Sequence, residues 1–466
     1  MNALVAGQPV QGARRRALVV GAGIAGAFTA YFLRQEFGPQ VEIVVWERQA
    51  RPGGRVGEME FAGRRVETGA TLIHSSNRYL VRAMQRLGLH PTRPGDRKPP
   101  RRRLGIWNGV SFDLLVSTAS LPLALAMASR YGRSLWRARR LARKAMARLV
   151  RLYEKLEGGR GFPSPGEMYR ELGLYDLTQE ASYGFFARHA VGERFVREFS
   201  DGVARSNYGQ DGRMNAWATL VSLIGGGVAG GRLFSVQEGN LRIVEGLLAA
   251  SEAHVRTNLA ARRVAARTGP DGEPAGYTVT AAGGLEEAFD AVILAVPLEL
   301  AGLDLEGLHL PASATVRRRY QVTHTTFVAG RLRAAAFRLP EREGVPELIL
   351  TRERPSIPFS AIGWLGPAAG DDRLIGGRGI YKAFSRRPLD DELLDRLFAD
   401  RGQTARLVWD AYPVLTPARV WPPFRLAHGL YYVNAMESAV SALETEAMAA
   451  RNVVNLLAQD LAENNR

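Results

Sequence analysis

Residues 17–26 read Ala-Leu-Val-Val-Gly-Ala-Gly-Ile-Ala-Gly, and this stretch decides the fold. A short apolar run, typical of a buried strand, ends at Gly21, and a helical pattern follows it to Leu33. In Gly21-x-Gly23-x-x-Gly26 the first glycine allows a tight turn and the second lets the backbone approach a pyrophosphate. The third glycine lets helix and strand pack closely, and unpaired N–H groups at the helix start favour an anion. The stretch therefore predicts a dinucleotide-binding βαβ unit.

An acidic residue stands where such a unit needs one. Glu47 lies 21 residues beyond Gly26, at the end of the second predicted strand, Val41 to Trp46. A carboxylate at this place binds both hydroxyls of the adenosine ribose, and it repels a 2′-phosphate. We therefore expect an adenine dinucleotide other than NADP.

Two further glycine-rich stretches lead to different predictions about nucleotide binding. The loop at residues 51–55, Arg-x-Gly-Gly-Arg, follows Glu47, and its glycines permit close approach while its arginines can neutralise phosphate oxygens. The stretch from Gly225 to Gly231 repeats the fingerprint spacing but holds five glycines in seven residues. Because such a stretch cannot open a helix, we expect no second nucleotide site there.

The composition narrows the class of protein. Hydrophobic residues make up 46% of the 466 residues and charged residues 23%, which is typical of a globular chain of two or three domains. There are no cysteines, which excludes disulfides, thiolate metal sites, a cysteine nucleophile and a flavin attached through cysteine. No metal site is predicted. The net charge of +16 suggests anionic partners.

The remaining elements suggest an interrupted nucleotide domain. A buried strand, Ala291 to Val296, and a late strand, Leu430 to Asn434, add to the opening unit, and a long helix is expected from Ser438. We expect three separated segments, 14–85, 232–300 and 425–466, to form this domain. The inserts between them, 86–231 and 301–424, are too long for ordinary loops and should form a second domain.

The motifs together resemble a known superfamily. The fingerprint, Glu47, the 51–55 loop and Glu67-Thr-Gly-Ala-Thr71 are similar to FAD-binding amine oxidases. Four more stretches resemble, in order and spacing, the prenylcysteine oxidase family, also called prenylcysteine lyase. They are Asn207-Tyr-Gly-Gln210 with Asn215-Ala216, Glu238-Gly-Asn240 with Gly246-Leu-Leu248, Tyr381-Lys-Ala-Phe-Ser385, and Leu430-Tyr-Tyr-Val-Asn434 with Glu437, Ser441-Ala442, Glu444 and Ala449-Ala-Arg-Asn452.

The resemblance implies a fold and a reaction. The fold would be α/β, a doubly wound Rossmann-type FAD domain with an inserted mixed α+β substrate domain. The enzyme would hold FAD noncovalently and oxidise the carbon beside sulfur in a prenyl thioether, giving an aldehyde, free cysteine and hydrogen peroxide from O2. The alternatives are oxidation of a C–C or C–N bond in isoprenoid, lipid or natural-product metabolism, and a non-catalytic flavoprotein at a membrane surface.

The resemblance also implies the cofactor-binding residues. Glu437 and Ser438 are expected at the start of the last helix, whose N–H groups would face the flavin and stabilise its reduced, negatively charged form. The alternative is that Glu437 is an acidic residue that only caps the N-terminus of this helix. The full set of expected cofactor-binding residues is Gly21, Gly23, Ile24, Ala25, Gly26, Glu47, Arg48, Gly53, Gly54, Arg55, Gly69, Ala70, Thr71, Glu437 and Ser438.

Three residues are candidates for the catalytic site. His74 follows the segment that in the family passes beside the flavin ring, although a lone histidine is usually structural. Tyr208 is a pocket candidate that a polar turn explains almost as well. Amine oxidases carry a lysine on the strand corresponding to residues 321–328, and none is present here, which counts against simple amine oxidation. Lys382 is the candidate replacement, with a surface lysine as the default interpretation.

A basic helix is predicted at residues 130–155, which hold ten basic residues and one acid. Seven of the bases fall on one helical face and apolar residues on another, so the stretch is either a solvated charged helix or an interfacial helix on anionic lipid. We expect no nucleic-acid partner because no binding module is visible. No signal peptide is visible before Arg16, so we expect a cytoplasmic protein that lies peripherally on a membrane when this helix binds one.

Overall fold

A computed structural model describes residues 15–92, 103–268, 274–305, 307–316, 318–369 and 377–464. Its first layer, here called the nucleotide sheet, has five parallel strands and one antiparallel edge strand. The spatial order of the strands is Arg425–Ala427, Leu430–Tyr432, Ala291–Leu294, Arg15–Val20, Val41–Trp46 and His254–Arg256. The central strands are almost continuously apolar, as expected of a parallel sheet covered on both faces.

Three helices pack together beside this sheet. The fingerprint helix, Ile24–Phe37, contacts both Leu241–Ala250 and the C-terminal helix, Leu443–Asn464. A three-stranded sheet also packs on the nucleotide sheet, with the Phe289 ring edge-on to Trp46. Its strands are Ala261–Thr268, Pro274–Ala281 and Glu286–Phe289.

A second, larger sheet forms the other half of the molecule. Seven of its eight strands follow one another in space, and Thr404–Pro413 pairs along the long strand Tyr320–Leu332. The order of the seven is Phe398–Ala399, Tyr320–Leu332, Gly379–Ser385, Ala361–Pro367, Leu348–Thr351, Arg103–Trp107 and Phe112–Ser117. Two short ribbons pair Glu58–Phe61 with Arg64–Glu67 and Ile73–His74 with Leu233–Phe234.

The remaining helices lie mostly between residues 120 and 225. They are Arg78–Arg86, Ser120–Tyr131, Arg133–Glu157, Pro165–Leu172, Tyr175–Thr178, Ser182–Arg188, Glu193–Phe195, Asp201–Tyr208, Ala216–Gly225, Leu298–Ala301 and Asp391–Leu397, with shorter turns at Gly38–Gln40, Val196–Ser200, Ala312–Thr315, Ala334–Phe337, Glu341–Glu343 and Val433–Ser438. Within the described ranges, no helix combines the length and the apolarity needed to cross a bilayer.

Two predicted helices differ from the structure. The last helix begins at Leu443 rather than Ser438, because Val433–Ser438 forms a separate 3₁₀ turn. The Thr445 hydroxyl accepts the Ala442 N–H and thereby caps the true start. The predicted helix at 130–155 is part of two helices that meet at Gly132, whose φ of +49° ends the first one.

All six strands of the nucleotide sheet fall within the three segments predicted for the FAD domain. The strands of the second sheet fall within the predicted inserts. The exact domain division stays a prediction.

Candidate functional site

A cavity of about 720 Å³ opens at the carboxyl ends of the nucleotide-sheet strands. Gly21, Glu47 and Ala295 line it from three neighbouring strand ends, and residues 407–412 of the second sheet close it from the other side. Open α/β sheets bind ligands at this place because the loops that leave neighbouring strands diverge there. The cavity is therefore the candidate active site.

The fingerprint glycines meet different demands. A Cβ at Gly26 would lie 1.9 Å from the Gly21 carbonyl oxygen, so close packing of helix and strand excludes every side chain there. A Cβ at Gly23 would meet no protein atom closer than 3.9 Å. Gly23 lines the cavity with Ile24 and Ala25 of the first helical turn. The protein's own packing does not require this glycine, which fits a ligand that approaches the backbone closely.

Backbone N–H groups of two other residues hold the Glu47 side chain in the cavity wall. Its Oε2 accepts the Ala22 N–H at 2.8 Å, and its Oε1 accepts the Gln49 N–H at 2.9 Å. The side chain is buried, and its two oxygens keep further lone pairs for a ligand. This arrangement can accept two hydroxyl groups, as the sequence predicts.

Arg55 forms an ion pair with Glu437 in the cavity wall. Its guanidinium forms an ion pair with the fully buried Glu437 carboxylate and donates to the Ala411 carbonyl oxygen at 3.0 Å. Glu437 also accepts from the Tyr320 hydroxyl at 3.1 Å and from the Ser441 hydroxyl at 3.2 Å. One hydrogen of each terminal nitrogen thus has a protein partner, and Arg55 also lines the cavity, so its contact with phosphate stays a prediction. Glu437, with three hydrogen-bond and ionic partners, is a fixed wall residue.

Asn434 and Glu446 leave unpaired oxygens in the cavity wall. Asn434 Nδ2 donates to Glu446 Oε2 at 3.0 Å. Two oxygens, Oδ1 of Asn434 and Oε1 of Glu446, are buried and have no hydrogen-bond partner in the protein. Burial, followed by the neighbouring Glu437 carboxylate, raises the pKa of Glu446 well above its ordinary value. A buried polar atom without a partner is costly, so this pair fits a bound group that carries both donors and acceptors.

The wall segment at residues 67–71 is clamped from two sides. Asn240 Nδ2 donates to the carbonyl oxygens of Ala70 and Thr71, each at 3.0 Å. Lys382 Nζ donates to the carbonyl oxygens of Glu67 and Gly69, at 2.9 and 3.2 Å. These contacts explain why an asparagine and a lysine far apart in the chain both belong to the site.

Lys382 is buried, so the default interpretation as a surface lysine is wrong. It lies on Gly379–Ser385, directly opposite Phe327 of the strand where amine oxidases carry their lysine. Burial lowers the pKa of Lys382 to about 8. The amine lies behind the cavity wall and holds its backbone, which makes it a positioning residue.

His74 also lies behind the wall. Its Nε2 contacts the Gly230 carbonyl oxygen at 2.8 Å, and its Nδ1 accepts the Ser76 N–H at 3.1 Å. Since a carbonyl only accepts, the proton sits on Nε2. Both ring nitrogens are used, and the ring joins the Ile73–His74 strand to the glycine-rich loop after helix Ala216–Gly225. That loop opens no helix, as predicted.

Tyr208 supports the cavity from outside. Its hydroxyl donates to the Ser441 carbonyl oxygen at 2.9 Å, and its ring packs edge-on against Tyr412 at 5.2 Å. Ser441 and Tyr412 both line the cavity, whereas Tyr208 does not. Its contacts are those of a supporting residue.

Most of the predicted cofactor residues come together in the cavity wall. Those that line it are Gly21, Gly23, Ile24, Ala25, Glu47, Arg48, Gly54, Arg55, Gly69, Ala70 and Glu437. Four predicted residues do not line it, namely Gly26, Gly53, Thr71 and Ser438. Ser438 instead accepts from Arg318 at 2.8 Å, because the 3₁₀ turn directs it away from the cavity. Neither Ser438 nor Glu437 stands at a helix start, which corrects that part of the prediction.

Several wall residues were not predicted from the sequence. Asn434 and Glu446 carry the unpaired oxygens, and Ala295 to Pro297 follows the strand beside the fingerprint strand. That last loop could have been predicted, since neighbouring parallel strands end at one edge of the sheet. No local signal marks Glu446, which reads as an ordinary acidic residue in a first helical turn.

Comparisons with known proteins agree with this geometry. The family model described as prenylcysteine lyase matches residues 117–466, and the model for an NAD(P)-binding Rossmann-like domain matches residues 19–87. The chain belongs to the prenylcysteine lyase family. Farnesylcysteine lyase of Arabidopsis thaliana is 31% identical, over 94% of this chain and 87% of that protein. Prenylcysteine oxidase 1-like of Bos taurus is 30% identical, over 94% of this chain and 89% of that protein.

Solved structures share the fold of this prenylcysteine lyase family member. Cyclohexylamine oxidase from Brevibacterium oxydans superimposes with a TM-score of 0.64 at 15% identity, covering 96% of this chain and 100% of that one. A putrescine oxidase variant redesigned for cofactor binding gives 0.62 at 15% identity, covering 96% and 99%. The predicted family, fold class, FAD cofactor and oxidoreductase activity are confirmed.

Proposed function

We propose that this enzyme oxidises a prenylated cysteine at the carbon that joins the prenyl chain to sulfur. The products are a prenyl aldehyde, free cysteine and hydrogen peroxide. The observation that carries the proposal is the continuity of the similarity to farnesylcysteine lyase and prenylcysteine oxidases, which spans 94% of the chain and both halves of the cavity.

The cavity residues fit FAD. Glu47 would hold the ribose hydroxyls, the first turn of the fingerprint helix would face the pyrophosphate, and Asn434 with Glu446 would bond the remaining polar groups. When bound, FAD supplies a two-electron acceptor that O2 can reoxidise. Arg55 and Glu437 neutralise each other, so this ion pair adds no net charge to the wall.

The overall reaction balances with water and one O2. The thioether carbon loses one hydride, that is two electrons and one proton, and water supplies the aldehyde oxygen. The bond to sulfur breaks, one proton of the water goes to the thiol, and the other is released. The two electrons and two protons reduce O2 to hydrogen peroxide. Because sulfur and the alkene both stabilise positive charge on the carbon between them, the oxidation needs no prior removal of a proton.

The chain's own side chains fit a reaction without a strong base. The Lys382 amine is committed to two carbonyl oxygens, the His74 ring has both nitrogens occupied, and Glu437 is ion-paired. Their tasks are to position the wall segment and the cofactor pocket. Trp409 and Tyr412, from the second sheet, give the same cavity an aromatic wall suited to an apolar chain.

The test is a product balance. Purified holoenzyme with S-farnesylcysteine in air should form farnesal, cysteine and hydrogen peroxide in equal amounts. Cyclohexylamine and putrescine serve as the matched amine probes. Turnover of an amine but not of the thioether would contradict the proposal and favour C–N oxidation.

We also propose that the enzyme works in the cytoplasm, peripherally on an anionic membrane that contacts residues 130–155. A chain without cysteine needs no oxidising compartment for disulfides, and the exposed basic residues of this stretch provide the electrostatic attraction. Such a contact would bring the enzyme to a prenylated substrate that partitions into lipid.

A further inference from the structure

Two helices meet in an exposed corner that carries apolar side chains. The helices are Ser120–Tyr131 and Arg133–Glu157, joined at Gly132, and together they form what we call the helical corner. Leu121 is 68% exposed, Leu125 62% and Trp136 61%. Among the described residues, three other large apolar side chains are more than half exposed: Leu72, Val420 and Val408, the last of which lines the cavity. Leu121 and Leu125 are four residues apart and therefore share one face of the first helix, and Trp136 lies in the first turn of the second.

Four cations lie on the same helix as Trp136. They are Arg133, Arg139, Arg140 and Lys144, all of them exposed, and no carboxylate pairs with them in the described part of the chain. Arg140 stacks over the Trp136 ring at 5.7 Å. Other bases of the same helix are committed elsewhere; for example, Arg151 donates to the Leu172 carbonyl oxygen and Lys155 pairs with Glu171.

The apolar stripe predicted for the basic helix cannot be the lipid contact. Ala138, Ala142, Leu152 and Tyr153 are buried in the main hydrophobic core. Leu135 is partly buried against the same core. The helix turns this face toward the protein, so any apolar contact with lipid must come from elsewhere.

We propose that the helical corner inserts Leu121, Leu125 and Trp136 into the interfacial layer of an anionic phospholipid bilayer, while the four cations bind the headgroups. Exposed leucine and tryptophan side chains on two adjoining helices, with four exposed cations that no carboxylate pairs with in the described residues, match this partner in both apolar character and charge. Tryptophan is the side chain preferred at the level of the headgroups. The inference rests on the proposed membrane contact and assigns it to specific side chains.

The corner also connects to the cavity wall. Arg143, on the same basic helix, donates to the Ala229 carbonyl oxygen at 3.0 Å, and the next residue, Gly230, is bound by His74. Leu72, two residues before His74, is 57% exposed, and Ala70 lines the cavity. A bilayer at the corner therefore lies against the elements that lead to the site, which suits a substrate taken from lipid.

Tryptophan quenching tests the insertion directly. Holoenzyme is mixed with vesicles of brominated phosphatidylcholine that contain 30% phosphatidylserine, and with vesicles of brominated phosphatidylcholine alone. We expect quenching and co-sedimentation with the first vesicles only. Trp136→Phe should remove most of the quenching, because the other six tryptophans are buried or partly buried. Binding with unchanged quenching in Trp136→Phe would overturn the assignment.

Two combined variants separate charge from insertion. R133Q/R139Q/R140Q/K144Q should weaken binding to phosphatidylserine vesicles at least tenfold, and L121S/L125S should weaken it at least threefold. The control V420S/L285S changes exposed apolar residues elsewhere and should bind like wild type. Equal binding to both vesicle types, no binding, or binding to single-stranded RNA in place of vesicles would overturn the proposal.

The proposed reaction is judged by a separate measurement. Turnover of dissolved S-farnesylcysteine should stay within twofold of wild type in all these variants, since none of the changed residues lines the cavity. Loss of vesicle binding with normal turnover would refute the membrane surface and leave the reaction standing. Normal vesicle binding without turnover would do the reverse.

Discussion

Two carboxylates of one cavity have opposite environments. Glu47 accepts two backbone N–H groups, whereas Glu446 lies buried beside Glu437, and burial raises the pKa of Glu446 well above its ordinary value. Glu47 could be predicted from its spacing after the fingerprint. Glu446 could not, because its environment is created by a loop and a turn that meet only in the fold.

Glu47→Gln should weaken FAD binding at least tenfold, since a charged hydrogen bond is worth roughly 1.5–3 kcal/mol. The affinity is measured by titration of the apoprotein with FAD, with flavin fluorescence as the signal. Glu42→Gln is the matched control on the same strand, because Glu42 only pairs with Arg16 at the surface. Unchanged affinity in Glu47→Gln would remove this residue from the cofactor site.

Lys382 should make stability depend on pH. Its pKa of about 8 in the folded state lies below its ordinary value of 10.5, so between these values the unfolded chain binds more protons. The free energy of unfolding should therefore rise with pH across this range, by about 3 kcal/mol from this group alone. Urea unfolding at several pH values measures it.

Lys382→Met should remove that rise, and the exposed Lys144→Met should keep it. The comparison of slopes between the variants cancels the contributions of tyrosines, which titrate in the same range. Identical slopes in wild type and Lys382→Met would show that the amine is not desolvated in the folded protein.

Elements that carry their own pattern are predicted well. The fingerprint strand and helix, the strand at 41–46 and the long strand from Tyr320 agree with the sequence analysis to within a few residues. The start of the last helix was misplaced because a capping threonine, not an apolar pattern, defines it. The direction in which the basic helix faces could not be predicted, since its apolar face packs into a core formed by distant segments.

The fingerprint turn gives a prediction that separates folding from binding. Gly26→Ala should destabilise the fold by about 3 kcal/mol, because its Cβ would overlap the Gly21 carbonyl oxygen. Gly23→Ala should fold normally and lose FAD affinity, because its Cβ enters only the cavity. Thermal unfolding of the apoproteins and FAD titration measure the two effects.

Gly184→Ala is the control for this pair. Gly184 lies in a helix with open space around it, so alanine there should stabilise the apoprotein by about 0.5–1 kcal/mol and leave FAD binding unchanged. If Gly23→Ala binds FAD like wild type, the cavity above the fingerprint is not the pyrophosphate site.

At the scale of the whole molecule, the two sheets create the site together. The nucleotide sheet supplies the cofactor residues, and residues 407–412 of the second sheet complete the wall. The first contribution follows from a local motif. The second depends on pairing between strands more than 70 residues apart, for which the sequence holds no local signal.

The cofactor should be held without a covalent bond. The chain has no cysteine, and both nitrogens of His74 are engaged with the protein. Acid precipitation of the yellow holoenzyme should leave all flavin in the supernatant. A pellet that stays yellow after washing would contradict this and point to attachment through another histidine.

The central claim is that the carbon between sulfur and the prenyl alkene is the one oxidised. Anaerobic stopped-flow mixing of the holoenzyme with S-farnesylcysteine tests it most directly, with the substrate deuterated at that carbon as the comparison. S-dodecylcysteine, which lacks the alkene, and cyclohexylamine are the matched probes. We expect rapid loss of the oxidised flavin absorbance with S-farnesylcysteine, a clearly lower rate with the deuterated substrate, and little reaction with either probe. No bleaching by the thioether, or equal bleaching by cyclohexylamine, would contradict it.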